Sequence, residues 1–378
     1  MSDLVSLTPR NFADYRVLSN EELNARICAA KATLGDRLLI LGHHYQRDDV
    51  IQHADLRGDS LLLSQLAAER DCEYIVFCGV HFMAETADMV ANRPERLAAR
   101  NDQRVTVILP DMAAGCSMAD MAAIEQVEGA WSELGELIDT SEVTPVTYIN
   151  SAASLKSFCG RHGGVVCTSS NARRVLEWAF SRTPRVLFFP DQHLGRNTAL
   201  TMGITHSQMP VWDPYADFAG GHTQSEIETS RVILWKGHCS VHQMFRAEHV
   251  HTFRKRIADI KILVHPECPQ EVNDLADLSG STGFIIRTVK SAPPGTKWAI
   301  GTELNLVNRL KQEHPEQEIH FLSPVVCLCA TMYRIDLPHL CWSLECLVDG
   351  QAVNVVRVDE EVARWSLLAL ERMLALAD

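Results

Sequence analysis

No C-x-x-C pair occurs among the twelve cysteines, and no apolar run in the 378 residues approaches the roughly 20 needed to cross a bilayer. The first absence argues against a zinc ribbon or a thioredoxin-type dithiol. The second argues against a transmembrane helix. The first 30 residues carry acids throughout and no apolar h-region, so no signal peptide is expected and the chain is expected to be cytoplasmic. A structural disulfide set is not expected in such a reducing compartment. Positive charge is scarce: 35 Lys and Arg stand against 48 Asp and Glu, a net charge of −13. A general nucleic-acid binder or a binder of anionic membranes is usually basic, so neither partner is expected. An apolar share of 46% with 22% charged residues excludes disorder, collagen-like sequence and coiled coil.

What the chain does contain is an alternation of strand-like and helix-like segments. The β-rich apolar runs are RLLILGHHYQ (37–46), EYIVFCGV (73–80), VTVILPDM (105–112), PVTYINS (145–151), GVVCTSS (164–170), PRVLFFPD (184–191), RVILWKG (231–237), KILVHPE (261–267), GFIIRTV (283–289), KWAIGTE (297–303) and EIHFLSP (318–324). Amphipathic stretches such as 60–70, 171–181 and 271–280 lie between them. Runs that are apolar on both faces suit parallel strands covered by helices on each side, so the expected class is α/β. A closing helix is expected over 359–376, with Asp359 as its N-cap and Val362, Trp365, Ala369, Met373 and Leu376 on one face.

The runs also repeat. ILGHHYQ, VTYINS and ILVHPE each open a segment, and each segment places a cysteine after its last run: Cys116, Cys239, and Cys329 with Cys327. This predicts three divergent α/β repeats. They span 20–116 (joined by the C-terminal region 340–378), 117–240 with a loop-rich insert at 192–230, and 241–339. Most of the other cysteines, Cys78 and Cys167 above all, are expected as small buried hydrophobes.

Ligands of open parallel sheets bind beyond the carboxyl ends of the strands. The polar residues there are His43 and Tyr45, Tyr148 and Asn150, Thr168 and Ser169, Asp191 and His193, His265 and Glu267, and Thr302 and Glu303. Capping of a following helix accounts for any one of them. Their recurrence in all three segments points to a site. One cysteine per repeat supplies three soft ligands, suited to zinc, copper(I) or an iron–sulfur cluster. Zinc would need a fourth ligand, for which His242 and His238 are available.

LGHHYQ, GDSLLL, VFCGVHFMAETA, LPDMAAGCSMAD, VTYINSAASLK, CTSSNA, FPDQHLGRN, VILWKGHCSVH, VHPECPQEV, GSTGFII and CATMYRIDL together resemble the quinolinate synthase family, in family order from about residue 20 to the C-terminus. The resemblance implies three pseudo-symmetric three-layer αβα domains, with small parallel sheets around a central 4Fe–4S cluster and active site. It implies an enzyme of NAD biosynthesis, a transferase of the EC 2.5.1 type. The implied reaction condenses iminoaspartate with dihydroxyacetone phosphate to quinolinate, with loss of phosphate and two waters. The implied cluster ligands are Cys116, Cys239 and Cys329, with Cys327 a competing candidate for the third. The implied catalytic set is Glu267, Tyr45, His43, His265 and Tyr148, with Glu267 as general base and Tyr45 and His265 as relays. Substrate binding falls to His43, Ser60, Tyr148, Asn150, Ser169, His265, Glu267, Ser281 and Thr282. Hydroxyls and helix N-termini bind anions without net positive charge. Transient contact with L-aspartate oxidase, to pass on iminoaspartate, stays open. The rival functions are another cluster-dependent hydro-lyase and a redox or iron sensor. A sensor usually carries an effector module such as a DNA-binding helix pair, and the sequence offers none.

Overall fold

A computed structural model of the chain describes residues 10–326 and 328–376. Cys327, the competing third cysteine, lies outside the described residues. The chain forms two compact units. One runs to Gly115 and takes up Ala330–Val358. The other is Cys116–Cys329 with the stretch that begins at Asp359.

Three sets of strands follow one another along the chain. The first is β1 (Leu38–His43), β2 (Leu56–Gly58), β3 (Tyr74–Cys78) and β4 (Thr106–Ile108). The second is β5 (Val143–Tyr148), β6 (Val165–Cys167), β7 (Arg185–Phe189), β8 (Val211–Trp212) and β9 (Val232–Trp235). The third is β10 (Lys261–Val264), β11 (Leu278–Ser279), β12 (Lys297–Gly301) and β13 (Glu318–Phe321), and β14 (Val355–Val356) comes last.

The first unit holds one sheet in the order β14-β4-β3-β1-β2, parallel except where β14 runs against β4. All six residues of β1 are buried, the pattern of a central strand covered on both faces. The helix Asn20–Leu34 starts at Ser19, whose side chain accepts the Glu22 N–H at 3.2 Å. It buries Leu23, Ile27, Ala30 and Leu34, spaced at helical period, and packs on the helix Leu337–Val348.

The second unit holds two sheets, β6-β5-β7-β9-β8 and β11-β10-β12-β13, in which every ladder is parallel. Leaving aside the edge strands β8 and β14, all three sheets share one internal order: second strand, first, third, last. In that order the chain reverses direction across the sheet between its first and third strands, and a crevice opens there at the carboxyl ends. The core of the last repeat is Phe245, Val250, Ile262, Val264, Val272, Ala299 and Leu322.

One expected strand is corrected, and two further stretches are resolved more finely. GFIIRTV (283–289) is not a strand but part of the helix Thr282–Ser291. Ser281 caps it by accepting the Phe284 N–H at 3.3 Å, and Ile285 and Val289, one helical turn apart, face the core. The loop-rich insert 192–230 contains the helices Gln192–Thr201 and Gln224–Thr229 and adds β8 to the edge of the second sheet. The C-terminal region divides. Residues up to Val358 lie in the first unit, whereas the helix Glu360–Leu374 packs on the helix Ala153–Arg161 and on β6. The reason is a glycine. A Cβ on Gly160 would lie 1.9 Å from the Trp365 carbonyl oxygen, so only a bare α-carbon lets the two backbones approach. Ser366 Oγ and Arg372 Nη1 fix the contact through the carbonyls of Ala153 and Gly164, at 2.8 and 2.6 Å. Asp359 caps this helix as expected, but its buried face is Ser366, Ala369, Leu370 and Met373.

Candidate functional site

In the second unit the crevice-forming strands are β5 with β7 and β10 with β12. Their carboxyl ends deliver Tyr148, Asp191, His265, Glu267, Thr302 and Glu303, all but one of which are at most 2% exposed, Tyr148 being 5% exposed.

Glu267 is the centre of the group. Its Oε2 lies 2.6 Å from His242 Nδ1 and 3.7 Å from His265 Nδ1. The first contact is short but poorly aligned, so it acts as a close electrostatic contact rather than a formed hydrogen bond, and Glu267 Oε1 has no hydrogen-bond partner. The two imidazoles stack, with centroids 4.6 Å apart and planes at 23°. Thr302 Oγ1 steadies His242 at Nε2 over 3.2 Å, and the Tyr148 hydroxyl donates to the Glu267 carboxylate. Burial alone would push the Glu267 carboxyl up. His265, His242 and the Tyr148 hydroxyl outweigh it and hold the carboxyl below its ordinary value. Burial drives His265 down to about 3, so its ring is neutral at physiological pH. The Glu267 N–H donates to His265 Nδ1 at 3.3 Å, which assigns the ring proton to Nε2.

Asp191 is the second buried acid. Burial, then repulsion from Glu267, pushes its carboxyl well above the usual range, against the N–H groups it accepts. Both of its oxygens nonetheless accept backbone N–H groups, Oδ1 from Leu194 and Oδ2 from Cys239.

The three sequence-predicted cysteines also belong to the second unit. By accessible surface each is only partly covered. The surrounding protein is nonetheless dense enough to push the Cys116 thiol up to about 12 and the Cys239 thiol well above its usual value. Cys239 feels the charges of Glu267, Cys116 and Cys329, and Cys116 those of Cys329 and Glu267. The N–H groups of Ala119 and Met118 point at the Cys116 sulfur, and that of His242 at the Cys239 sulfur. Three neighbouring thiols repel one another once ionised unless a cation binds them, and soft metals or iron–sulfur clusters are the groups that do so. The donor set fits such a group. Cys239, His242 and Glu267 also bring ligand atoms within 4.8 Å of one another.

Of the other expected residues, Ser169 lines a cavity of about 490 Å³ beside Pro266 and Gly280, the neighbours of Glu267 and Ser281. Asn197 holds the loop at this cavity, donating to the carbonyls of Pro266 and Cys268 at 2.8 and 2.9 Å. Asn150 is half-buried after β5. Ser281 and Thr282 are buried at a helix start. His43, Tyr45 and Ser60 belong to the first unit. His43 ends β1, and its Nδ1 accepts the Tyr45 N–H at 3.1 Å. This is the bond that His265 and Glu267 make after β10, so the first and third repeats share a local fold as well as a strand order. His242 was weighed in the sequence only as a zinc ligand, and its place beside Glu267 carries no local signal.

The family described as "Quinolinate synthetase A protein" matches residues 25–375. The chain belongs to the quinolinate synthase family. It is 74% identical over 362 residues to a quinolinate synthase of Rhodopirellula baltica, an alignment covering 96% of this chain and 92% of that protein. It is 54% identical over 364 residues to one of Anoxybacillus flavithermus, covering 96% of each. A third, from Herpetosiphon aurantiacus, is 52% identical over 379 residues, covering 100% of this chain and 98% of that protein. As a member of the quinolinate synthase family, the chain is an enzyme. The stretches that carry the resemblance take corresponding places in the fold. LGHHYQ, VTYINS and VHPE span the carboxyl end of the first strand of their sheets, and the three cysteine stretches follow β4, β9 and β13. Among the described residues, no helix is long and apolar enough to cross a membrane.

Proposed function

We propose that the chain is a quinolinate synthase of NAD biosynthesis, condensing iminoaspartate with dihydroxyacetone phosphate to quinolinate, phosphate and two waters. One observation carries the reading: a buried carboxylate with an unpartnered oxygen, held between two imidazoles and a tyrosine, stands in the field of three thiols. Cys116, Cys239 and Cys329 would hold a 4Fe–4S cluster, which when bound supplies Lewis acidity at the iron that lacks a protein thiolate.

The chain's own groups then have distinct work. Glu267, kept anionic, accepts the proton from the carbon beside the carbonyl or imine. His265, neutral with its proton on Nε2, donates to an oxygen about to depart. Tyr148 orients the Glu267 carboxylate and, with Asn150, contacts substrate. Ser169, Ser281 and Thr282 receive carboxylate and phosphate oxygens through hydroxyls and helix N–H groups, which need no net positive charge. His43 and Ser60 are further substrate-binding residues, and Tyr45 is a proton relay.

Anaerobic protein, loaded with iron and sulfide, should form quinolinate from the two substrates and should hold about four irons per chain. A loaded enzyme that makes no quinolinate overturns the reaction. The second reading, a single zinc, is favoured only by the approach of Cys239, His242 and Glu267. It would use up Glu267 and leave Cys116 and Cys329 without a task. Stoichiometric zinc after anaerobic purification would establish it.

A further inference from the structure

Asp191 and Glu303 occupy the same place in two repeats. Each follows the third strand of its sheet, β7 or β12, and each is the N-cap of the helix that comes next. Asp191 Oδ1 accepts the Leu194 N–H at 2.7 Å. Glu303 Oε2 accepts the N–H groups of Asn305 and Leu306 at 2.7 and 3.3 Å. Capping explains that much. It does not explain why both acids are fully buried. Serine, threonine or asparagine caps a helix as well, without placing an ionisable group in the interior. The acid that caps the C-terminal helix, Asp359, is exposed.

A carboxylate differs from those caps in offering two acceptor oxygens and no donor. Both buried acids use that capacity in the same way. Asp191 Oδ2 accepts the backbone N–H of Cys239 at 3.2 Å. Glu303 accepts the backbone N–H of Cys329. In each repeat one carboxylate therefore joins the start of a helix to the cysteine that follows the last strand of the set, β9 or β13. One acid is Asp and the other Glu, so the link is preserved where the side chain is not. Cys116 is fixed differently, by N–H groups of its own loop on its sulfur.

We infer that Asp191 and Glu303 are positioning residues for Cys239 and Cys329. Their carboxylates hold the two cysteine backbones in place, so that the thiols are already gathered when a cluster arrives and do not separate when it is attacked. The part of this that concerns a cluster rests on the cluster assignment above. The anchoring of the two N–H groups does not.

The test uses D191N and E303Q, each of which turns one acceptor oxygen into a donor and sets it against a backbone N–H group that the carboxylate accepts. D359A, which removes a cap unconnected to any cysteine, is the control. Anaerobic, iron-loaded proteins are mixed with a ferrous chelator, and release is followed by absorbance below the melting temperature of every variant. Loss of iron should be about tenfold faster in D191N and E303Q, the range seen when outer-shell partners of metal ligands are removed, and unchanged in D359A. Wild-type release in both acid variants, or equal acceleration in D359A, overturns the inference. A second measurement needs no variant to fold. In wild-type protein stripped of iron, amide hydrogen exchange read by fragmentation mass spectrometry should show the Cys239 and Cys329 N–H groups still slow. Rapid exchange at both overturns the inference. Where the variants fold, D191N should speed exchange at Cys239 alone and E303Q at Cys329 alone. Absence of iron from wild-type protein would refute the cluster assignment and leave the exchange result to decide the anchoring.

Discussion

Glu267 is at most 2% exposed and reaches two imidazoles through one oxygen, so exchanging that carboxylate for an amide separates chemistry from packing. Glu267→Gln keeps the size and removes the proton acceptor. Turnover should fall about 100- to 10,000-fold while iron content stays at the wild-type level. A variant with near-normal turnover and a lowered melting temperature would make Glu267 a structural residue. His193 tests a different property. Burial lowers its pKa to about 4. At neutral pH it is uncharged in both folded and unfolded chains. As pH falls through the ordinary histidine value, the unfolded chain takes up a proton that the folded one resists, so stability is lost on acidification. Between about pH 6.5 and pH 5 the loss from this residue is about 1.6 kcal/mol. Urea melts of wild type and His193→Gln at those two pH values should differ by that much in their acid-induced drop, and equal drops would refute it. At this scale the sequence was legible wherever a polar residue ended a first or third strand, as Tyr148, His265 and Glu267 do. It was illegible for His242, which reaches Glu267 from the short helix Ser240–Gln243. The double duty of Asp191 and Glu303 was hidden too. A cap is visible in sequence, but its second acceptor faces a segment distant in the chain.

Elements were legible where periodicity was unambiguous. The apolar runs before LGHHYQ, VTYINS and VHPE are strands because both of their faces are covered. GFIIRTV failed because a short β-branched run has no period of its own. Ser281, which supplies an N-cap, and the spacing of Ile285 and Val289 decide for helix. The two-residue strands β8, β11 and β14 carry too little sequence to announce themselves. The docking of the helix Glu360–Leu374 turned on Gly160, whose importance is invisible until its neighbour is known. Gly160→Ala improves intrinsic helix propensity by about 1 kcal/mol. The backbone clash should reverse the sign and give a net loss of about 1–3 kcal/mol. Calorimetry should therefore show a lower melting temperature, whereas an unchanged or higher one would mean that the helices separate without cost.

Across the whole chain the repeated strand order was foreshadowed by the recurrence of strand-end polar residues and trailing cysteines. The return of a C-terminal region to the first repeat was expected over 340–378, and the first unit takes up residues 330–358. That return has a consequence for how the protein is made. On the ribosome β4 emerges early, yet the strand that covers its outer edge, β14, pairing Val355 with Ile108 and Val356 with Val107, comes almost last. At roughly 5–20 residues per second, the first sheet waits about 10–50 s with an open edge. A bare parallel edge is a template for pairing with another nascent chain. Val356→Pro, which prevents that pairing, should raise light scattering during refolding while leaving the three thiols of the second unit able to take up iron. Scattering equal to wild type would mean that the edge is harmless. If it is raised, the newborn enzyme has its greatest need of a chaperone in the interval before β14 emerges, the same interval in which Cys116, Cys239 and Cys329 are made.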